Sequence, residues 1–194
     1  MIAIIGPTGS GKTELSIKLS EKIPINVINA DSRQIYKYMN IGTAKPTLEQ
    51  RSKVKHYTVD QVYPNINYSL NDFINDAKSS YENIVSQNLT PIIVGGTGLY
   101  IWALLDNWKL PDVPPSQGYR DDLEIKIKNN KPEYLSNLFI SKIGHENSKN
   151  FDLKNNRRLI RYLEIIKTIG SEAFLSNNKK ENNNHLIIGL DYCK

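Results

Sequence analysis

The residues with the clearest chemistry form a glycine-rich run close to the start of the 194-residue chain. The run fits the pattern G-x-x-x-x-G-K-[ST] at every fixed position, and it reads Gly6-Pro7-Thr8-Gly9-Ser10-Gly11-Lys12-Thr13. In this pattern the glycines let the backbone curl, so that its N–H groups and the dipole of the following helix hold a phosphate. Lys12 adds a positive charge, and the hydroxyl of Thr13 can ligate Mg²⁺. The run therefore predicts a binding site for a di- or triphosphate, contacted by all of its residues.

A second candidate site follows the next two apolar stretches. Ile25–Ala30 is predicted to be a strand that ends at Asp31, and Pro91–Val94 is predicted to be a strand that runs into Gly95-Gly96-Thr97-Gly98. An ordinary NTPase usually has an aspartate after such a strand to hold Mg²⁺, and this second run has no carboxylate. Ligands of doubly wound sheets gather at the carboxyl ends of the strands. We therefore expect Asp31 and Thr97 to face the same crevice as the phosphate loop.

Asp31 has two interpretations from the sequence. A carboxylate in such a crevice can act as general base on an incoming acceptor. Aspartate is also a frequent N-cap, and here it would cap the short segment Ser32–Tyr38. The residues alone leave both roles open.

Strands and helices alternate in the first part of the chain. The strands are predicted at Met1–Ile5, Ile25–Ala30, His56–Val59 and Pro91–Val94, and helical stripes at Thr13–Ile23 and behind Ser69, where Asp72 completes a variant of the capping box. This alternation predicts an α/β fold with a parallel sheet flanked by helices, and the glycine-rich run makes that fold P-loop NTPase-like.

The pattern changes after Trp108, where prolines form a stiff linker. Helices are predicted near 119–130, 132–143 and 155–168, a flexible loop at Asn177–Asn184 and a last strand at Leu186–Leu190. We therefore predict an α/β core formed by residues 1–110 and 151–194, interrupted by a short helical insert at 111–150.

Composition limits the possible classes of protein. With 39% hydrophobic residues and a single cysteine, Cys193, the chain can bury a core without disulfides and has no cysteine-based zinc site. No apolar stretch reaches the length of a membrane span, and we expect a cytoplasmic protein that does not bind membranes. The three histidines have no metal-ligand spacing, and Trp102 is predicted to be a packing residue.

Most of the net charge of +5 comes from residues 109–167, which indicates either a polyanionic partner or ordinary solubility charge.

Several runs together resemble one enzyme family. Besides the phosphate loop they are Asp31-Ser32-Arg33-Gln34-Ile35-Tyr36, Ile41-Gly42-Thr43-Ala44-Lys45-Pro46, Gly95-Gly96-Thr97-Gly98-Leu99-Tyr100, Arg120, the run from Arg157 to Glu164, and Ile188-Gly189-Leu190-Asp191. In order and spacing they resemble the tRNA dimethylallyltransferases, also called tRNA isopentenyltransferases. Members of that family continue well past the point where this chain ends, so the resemblance implies that the family's C-terminal part is absent.

The resemblance implies a prenyl transfer. Dimethylallyl diphosphate would place its diphosphate in the loop with Mg²⁺ at Thr13, and the N6 amine of the adenosine just 3′ of the anticodon would attack the allylic carbon. Asp31 would be the catalytic base, assisted by Thr97. Contacts with the anticodon stem-loop of tRNA are implied for Asp31, Ser32, Arg33, Gln34, Thr97, Arg120, Arg157, Arg158, Leu159, Ile160 and Arg161. We expect a monomer, with residues 111–150 facing the tRNA.

Other functions fit the same residues. In a small-molecule kinase, ATP would occupy the loop and Asp31 would activate a hydroxyl. A free-nucleotide isopentenyltransferase would prefer AMP to tRNA. A non-catalytic fragment would bind tRNA with a steep salt dependence and turn nothing over. The arginines of the 157–161 run have a structural alternative as well, since they could form a solvated helix face paired with Glu164.

Overall fold

The computed structural model describes residues 1–129, 133–177 and 184–192. Contacts between residues divide the chain into two compact units, which are residues 1–108 with 180–194, and residues 109–179. Most of the predicted loop at Asn177–Asn184 lies outside the described residues.

Five parallel strands form the sheet of the first unit over its described residues. They are β1 (Ile2–Ile5), β2 (Ile25–Asn29), β3 (His56–Tyr57), β4 (Thr90–Gly95) and β5 (Leu186–Gly189), arranged in the order β3-β2-β4-β1-β5. The predicted α/β class with a parallel sheet is therefore confirmed.

Helices cover both faces of this sheet. They are α1 (Lys12–Ser20), α2 (Leu48–Lys53), α3 (Leu70–Ser86) and α4 (Gly98–Leu105). Successive residues of β1 point to opposite faces, so Ala3 packs with Phe73 of α3, and Ile4 packs with Leu15 of α1. Burial on both faces explains why these strands are continuous apolar runs in the sequence.

Local sequence determines where several of these elements begin and end. The Ser69 hydroxyl accepts from the Asp72 amide while Asp72 caps the Ser69 amide, so the predicted capping box of α3 is confirmed. Thr47 and Gln50 form a second box at α2, which was not predicted although the spacing is the same. The strand predicted at His56–Val59 is shorter, because Thr58 has a φ of 59°, outside the extended region.

The second unit is helical in its described part. Its helices are α5 (Gln117–Asn129), α6 (Tyr134–Ile143), α7 (His145–Ser148), α8 (Asn156–Ile169) and α9 (Ser171–Asn177). Leu159 and Leu163 of α8 pack with Leu135 and Phe139 of α6 in one core. Residues 151–179 therefore group with the insert, and the predicted division at 150 differs from the one that the contacts give. The sequence indicated the apolar stripe of α8 but not the element that would cover it.

None of the helices in the described ranges is long and apolar enough to cross a membrane.

Candidate functional site

The phosphate loop connects β1 to α1 at the carboxyl edge of the sheet. Gly11 is the N-cap of α1 and has a φ of 86°, a left-handed conformation that favours glycine and turns the chain into the helix. The first amides of α1 consequently have no partner within the helix and are oriented to bind an anion. This arrangement is the strand–loop–helix context that the sequence pattern requires.

Lys12 is folded back over the loop. Its Nζ donates to the carbonyl oxygens of Gly6 at 2.9 Å and Pro7 at 2.6 Å. Burial lowers the pKa of Lys12 from its usual value, and the negative charge of Asp31 opposes that shift. The two groups are therefore close enough to interact, since the loop after β1 and Asp31 after β2 lie on either side of β4 at the carboxyl edge of the sheet. That Asp31 faces a crevice shared with the loop stays a prediction.

Two further groups of the loop region bear on ligand binding. The Ser10 hydroxyl is buried and has no hydrogen-bond partner among the described residues. A buried hydroxyl without a partner is costly, and a phosphate oxygen would supply the missing acceptor. The hydroxyl of Tyr192, just beyond β5, donates to the Thr8 carbonyl oxygen. No pattern in the sequence indicated this contact, because the two residues lie at opposite ends of the chain.

Asp31 and Thr97 lie side by side because β2 and β4 approach closely at their carboxyl ends. A Cβ on Gly95 would lie 2.2 Å from the Ala30 carbonyl oxygen, so this close approach depends on glycine. The Thr97 amide donates to that same oxygen at 3.1 Å. Oγ1 of Thr97 accepts from the Ser32 amide at 3.0 Å, which fixes the residue next to Asp31.

The capping role of Asp31 is present in the structure and occupies one carboxylate oxygen. Oδ1 accepts from the amides of Arg33 at 2.9 Å and Gln34 at 3.4 Å. Within the described residues these hydrogen bonds leave Oδ2 unused. The two interpretations of Asp31 are therefore compatible, because one oxygen holds the turn and the other is available to accept a proton.

An apolar cavity of about 280 Å³ adjoins the phosphate loop. Its walls include Gly6 and Pro7 of the loop, Gly96 after β4, Ile101 and Trp102 of α4, and Ile187 of β5. Trp102 is partly exposed and contacts the His185 ring edge-on, so it packs less completely than predicted.

Over the described ranges, no group of three or more His, Cys, Asp or Glu side chains could hold a metal ion.

The other residues implied to contact tRNA in this unit differ in accessibility. Arg33 is exposed and Ser32 is half-buried. Gln34 is buried, and its Nε2 donates to the carbonyl oxygens of Thr43 and Ala44. The Gln34 side chain is thus occupied within the protein, which the sequence could not indicate.

In the second unit, Glu164 organises two of the implied tRNA-binding arginines. Arg120 donates to both of its oxygens, at 3.0 and 2.8 Å, and Arg161 donates to Oε2 at 2.5 Å. The Ser116 amide also donates to Glu164, whose side chain is only 2% exposed. The structural alternative is therefore realised for Arg161, although the carboxylate is buried rather than solvated.

The remaining residues of this run fall into two groups. The side chains of Arg157 and Arg158 are exposed on α8, with Arg158 within 3.7 Å of the Asp152 carboxylate. Leu159 is fully buried in the core and Ile160 is half-buried. The Leu159 side chain is therefore inaccessible to tRNA, contrary to the expectation from the sequence.

Replacing Glu164 with glutamine should destabilise the second unit by about 2–4 kcal/mol, because two arginines lose a buried countercharge. Burial favours the neutral acid, but the hydrogen bonds from Arg120, Ser116 and Arg161 outweigh it and lower the Glu164 pKa from 4.5 to about 2. Such a shift corresponds to about 3 kcal/mol of stability, present above pH 4.5 and lost as the pH falls towards 2.

Urea unfolding measured between pH 7 and pH 2.5 would test this. Asp122→Asn is the matched control, because it removes a carboxylate from the exposed pair with Lys126 and should change stability by less than about 1 kcal/mol. An unfolding free energy of the Glu164 variant equal to that of the unchanged protein at pH 7 would contradict the prediction.

Comparisons with known proteins show which family the chain resembles. The family model described as IPP transferase matches residues 34–194. The tRNA dimethylallyltransferase of Natranaerobius thermophilus is 37% identical over 98% of this chain, and the aligned part is 58% of the relative. The chain thus spans less than two thirds of the length of this curated relative.

Solved structures give the same result. The tRNA isopentenylpyrophosphate transferase of Bacillus halodurans is 38% identical, with a TM-score of 0.56, over 88% of this chain and 56% of that protein. A eukaryotic dimethylallyltransferase acting on tRNA is 28% identical, with a TM-score of 0.78, over 98% of this chain and 48% of that protein. The phosphate loop, the adjacent Asp31 and Thr97, and these similarities lead to one conclusion, that the chain belongs to the IPP transferase family.

Proposed function

We propose that this protein transfers the dimethylallyl group of dimethylallyl diphosphate to N6 of the adenosine just 3′ of the anticodon in tRNA. The observation that carries the proposal is that Lys12 and Asp31 lie at the same carboxyl edge of the sheet, close enough for their charges to interact. A site for an anionic leaving group and a base for the nucleophile thus lie together, in a chain whose relatives are named for this reaction.

The loop would bind the diphosphate and stabilise it as it leaves. The amides at the start of α1, the Ser10 hydroxyl and the Lys12 ammonium are donors that require no reorganisation during the reaction. The Lys12 charge at 4 Å from a phosphate oxygen is worth about 4 kcal/mol at an effective dielectric constant near 20.

The residues of the loop also fit Mg²⁺. The protein ligand would be the Thr13 hydroxyl, and magnesium accepts few protein ligands when phosphate oxygens and water complete its shell. Bound there, the ion would neutralise charge on the diphosphate.

Asp31 would act on the other reactant. The exocyclic amine of adenine is a weak nucleophile, and a carboxylate within hydrogen-bond reach can take its proton. As the N6–carbon bond forms, the bond from the allylic carbon to the diphosphate oxygen breaks, the N6 proton passes to Oδ2 of Asp31, and pyrophosphate leaves. Thr97 would support this step by holding Ser32 beside Asp31.

The apolar cavity beside the loop suits the dimethylallyl chain. Ile101, Trp102 and Ile187 provide an apolar wall next to Gly6, where the diphosphate would begin. Such a wall excludes water, which would otherwise compete with the amine for the allylic carbon.

The adenosine must leave its stack to reach Asp31, which costs a few kcal/mol that contacts with the RNA backbone must offset. We propose that the exposed Arg157 and Arg158 provide such contacts, because they remain accessible on α8. For Arg120 and Arg161, the contact with Glu164 leaves only part of each guanidinium for RNA. The anticodon stem-loop as the bound element, a monomeric state and cytoplasmic localisation stay predictions.

The direct test is incubation with dimethylallyl diphosphate, Mg²⁺ and a tRNA transcript carrying adenosine 3′ of the anticodon. We expect one prenylated adenosine per tRNA in the nuclease digest and one pyrophosphate released. The matched control transcript has guanosine at that position and should remain unmodified.

The kinase alternative is tested by adding ATP to the same assay. ATP hydrolysis or phosphoryl transfer without prenylated adenosine would contradict the proposal. Binding of tRNA without any product would favour the non-catalytic alternative. The family to which the chain belongs favours the transferase over the kinase.

A further inference from the structure

Lys45 is a buried lysine in the run Ile41–Pro46. It has no role in the diphosphate binding or the base catalysis proposed above. Its side chain is 2% exposed. The three donor positions of its ammonium are matched by three acceptors, the Tyr36 carbonyl oxygen at 2.7 Å, Asn40 Oδ1 at 3.1 Å and Asp60 Oδ1 at 2.6 Å. A fully paired ammonium of this kind does not bind a ligand, because every donor is used.

The three acceptors belong to different segments of the loop region. Tyr36 and Asn40 follow β2, whereas Asp60 follows β3, and Arg51 of α2 holds the second oxygen of Asp60 at 2.8 Å. The pKa of Asp60 is lowered: burial alone would raise it, but the hydrogen bonds from Lys45 and Arg51 outweigh burial. Lys45 therefore joins two connections of the sheet through one buried charge.

Backbone conformations near Lys45 indicate that the contact restrains the chain. Tyr38, Ala44 and Asp60 have φ values of 65°, 49° and 54°, a region that residues other than glycine rarely adopt. Such conformations persist only where the surrounding contacts enforce them, and they often lie close to functional sites.

A short series of contacts connects this cluster to Asp31. The amide of Asp60 donates to the Gln34 carbonyl oxygen at 3.1 Å, and the Gln34 side chain donates to the carbonyl oxygens of Thr43 and Ala44. The Gln34 amide in turn donates to Oδ1 of Asp31. The segment that orients the Asp31 carboxylate is thus held from its far side by residues that flank Lys45.

We propose that Lys45 is a positioning residue for prenyl transfer, whose ammonium holds the turn that directs Asp31 into the crevice. The inference rests on the proposed function, since it concerns the same carboxylate. Lys45 itself touches neither substrate. Misplacement of a reacting group by about 1 Å can lower turnover about 100-fold, so a distant anchor can have a large effect.

Lys45→Met tests the proposal, because methionine has a similar length and no donor. We expect kcat for prenyl transfer to fall by about 10- to 100-fold, while the affinity for dimethylallyl diphosphate stays within about twofold because the phosphate loop does not contact Lys45. The rate is divided by the concentration of sites that bind dimethylallyl diphosphate. Unfolded protein, which does not bind it, therefore does not lower the measured kcat. The control is Lys53→Met, which removes an exposed lysine paired with Glu49 and should leave kcat unchanged.

A readout independent of activity accompanies the kinetics. Hydrogen exchange at the Arg33 and Gln34 amides, which Asp31 holds, should be faster in Lys45→Met than in the unchanged protein and the same in Lys53→Met. If Lys45→Met fails to fold, Asn40→Ala is the alternative variant, because Asn40 is exposed and supplies one of the three acceptors of the Lys45 ammonium. It should lower kcat and speed the exchange at Arg33 and Gln34 in the same direction, by smaller amounts.

The possible outcomes separate the two proposals. An active unchanged protein whose Lys45→Met variant melts earlier, with the same kcat per binding site and the same exchange at Arg33 and Gln34, would overturn the positioning role alone. An unchanged protein that binds dimethylallyl diphosphate and tRNA but forms no product would overturn the proposed function and, with it, this inference.

Discussion

Substituting Lys12 with methionine should weaken the binding of dimethylallyl diphosphate about 100- to 1,000-fold, since one charge contact worth about 4 kcal/mol is lost in a partly buried site. Methionine keeps most of the aliphatic packing of the lysine, so α1 should still form. The Lys12 side chain is half-buried, so its ammonium is partly desolvated before the diphosphate arrives, and this burial lowers its pKa. Isothermal titration calorimetry with dimethylallyl diphosphate and Mg²⁺ measures the affinity.

A control on the same helix separates this local effect from a general loss of positive charge. Lys18 lies on α1, is 67% exposed and pairs with Glu14, so Lys18→Met should change the affinity by less than about twofold. Equal affinities of the Lys12→Met variant and the unchanged protein would show that the diphosphate does not bind in this loop.

Replacing Asp31 with asparagine should lower turnover about 10²- to 10⁴-fold, the usual contribution of a general base. Asparagine retains an Oδ1 acceptor for the Arg33 and Gln34 amides, so the turn that follows β2 should persist. The affinity for both substrates should change little. Single-turnover transfer to tRNA, started from the bound donor, measures the chemical step without product release.

Alanine at the same position distinguishes catalysis from capping. Asp31→Ala removes both the base and the cap, so it should also lower the melting temperature, whereas Asp31→Asn should not. If Asp31→Asn retained full turnover and only Asp31→Ala were impaired, the carboxylate would serve the turn alone, and the proposed base would be wrong.

The sequence predicted those features that depend on residues close together along the chain. Gly6–Thr13 specifies its own backbone conformation, and the capping box of Ser69 and Asp72 spans three residues. Even the adjacency of Asp31 and Thr97 followed from a general rule, because parallel strands bring their carboxyl ends to one edge.

Contacts between distant residues were not predictable in this way. Glu164 accepts hydrogen bonds from Ser116 and Arg120, more than 40 positions earlier, and no local pattern marks these partners. The same holds for Lys45 and Asp60, whose pairing depends on how two loops fold over the sheet. The resemblance to a family indicated which residues matter, but only the structure separates those that hold others in place from those that remain accessible.

In the proposed reaction, one crevice holds both the departing diphosphate and the base that activates adenosine. A crystal structure of the protein with a non-transferable thio analogue of dimethylallyl diphosphate tests it most directly. We predict a diphosphate in the loop, with Lys12 Nζ released from the carbonyl oxygens of Gly6 and Pro7 to bind it, and an allylic carbon directed towards the side of the crevice where Asp31 lies. A diphosphate bound outside Gly6–Thr13, or an allylic carbon separated from Asp31 by protein, would contradict the account.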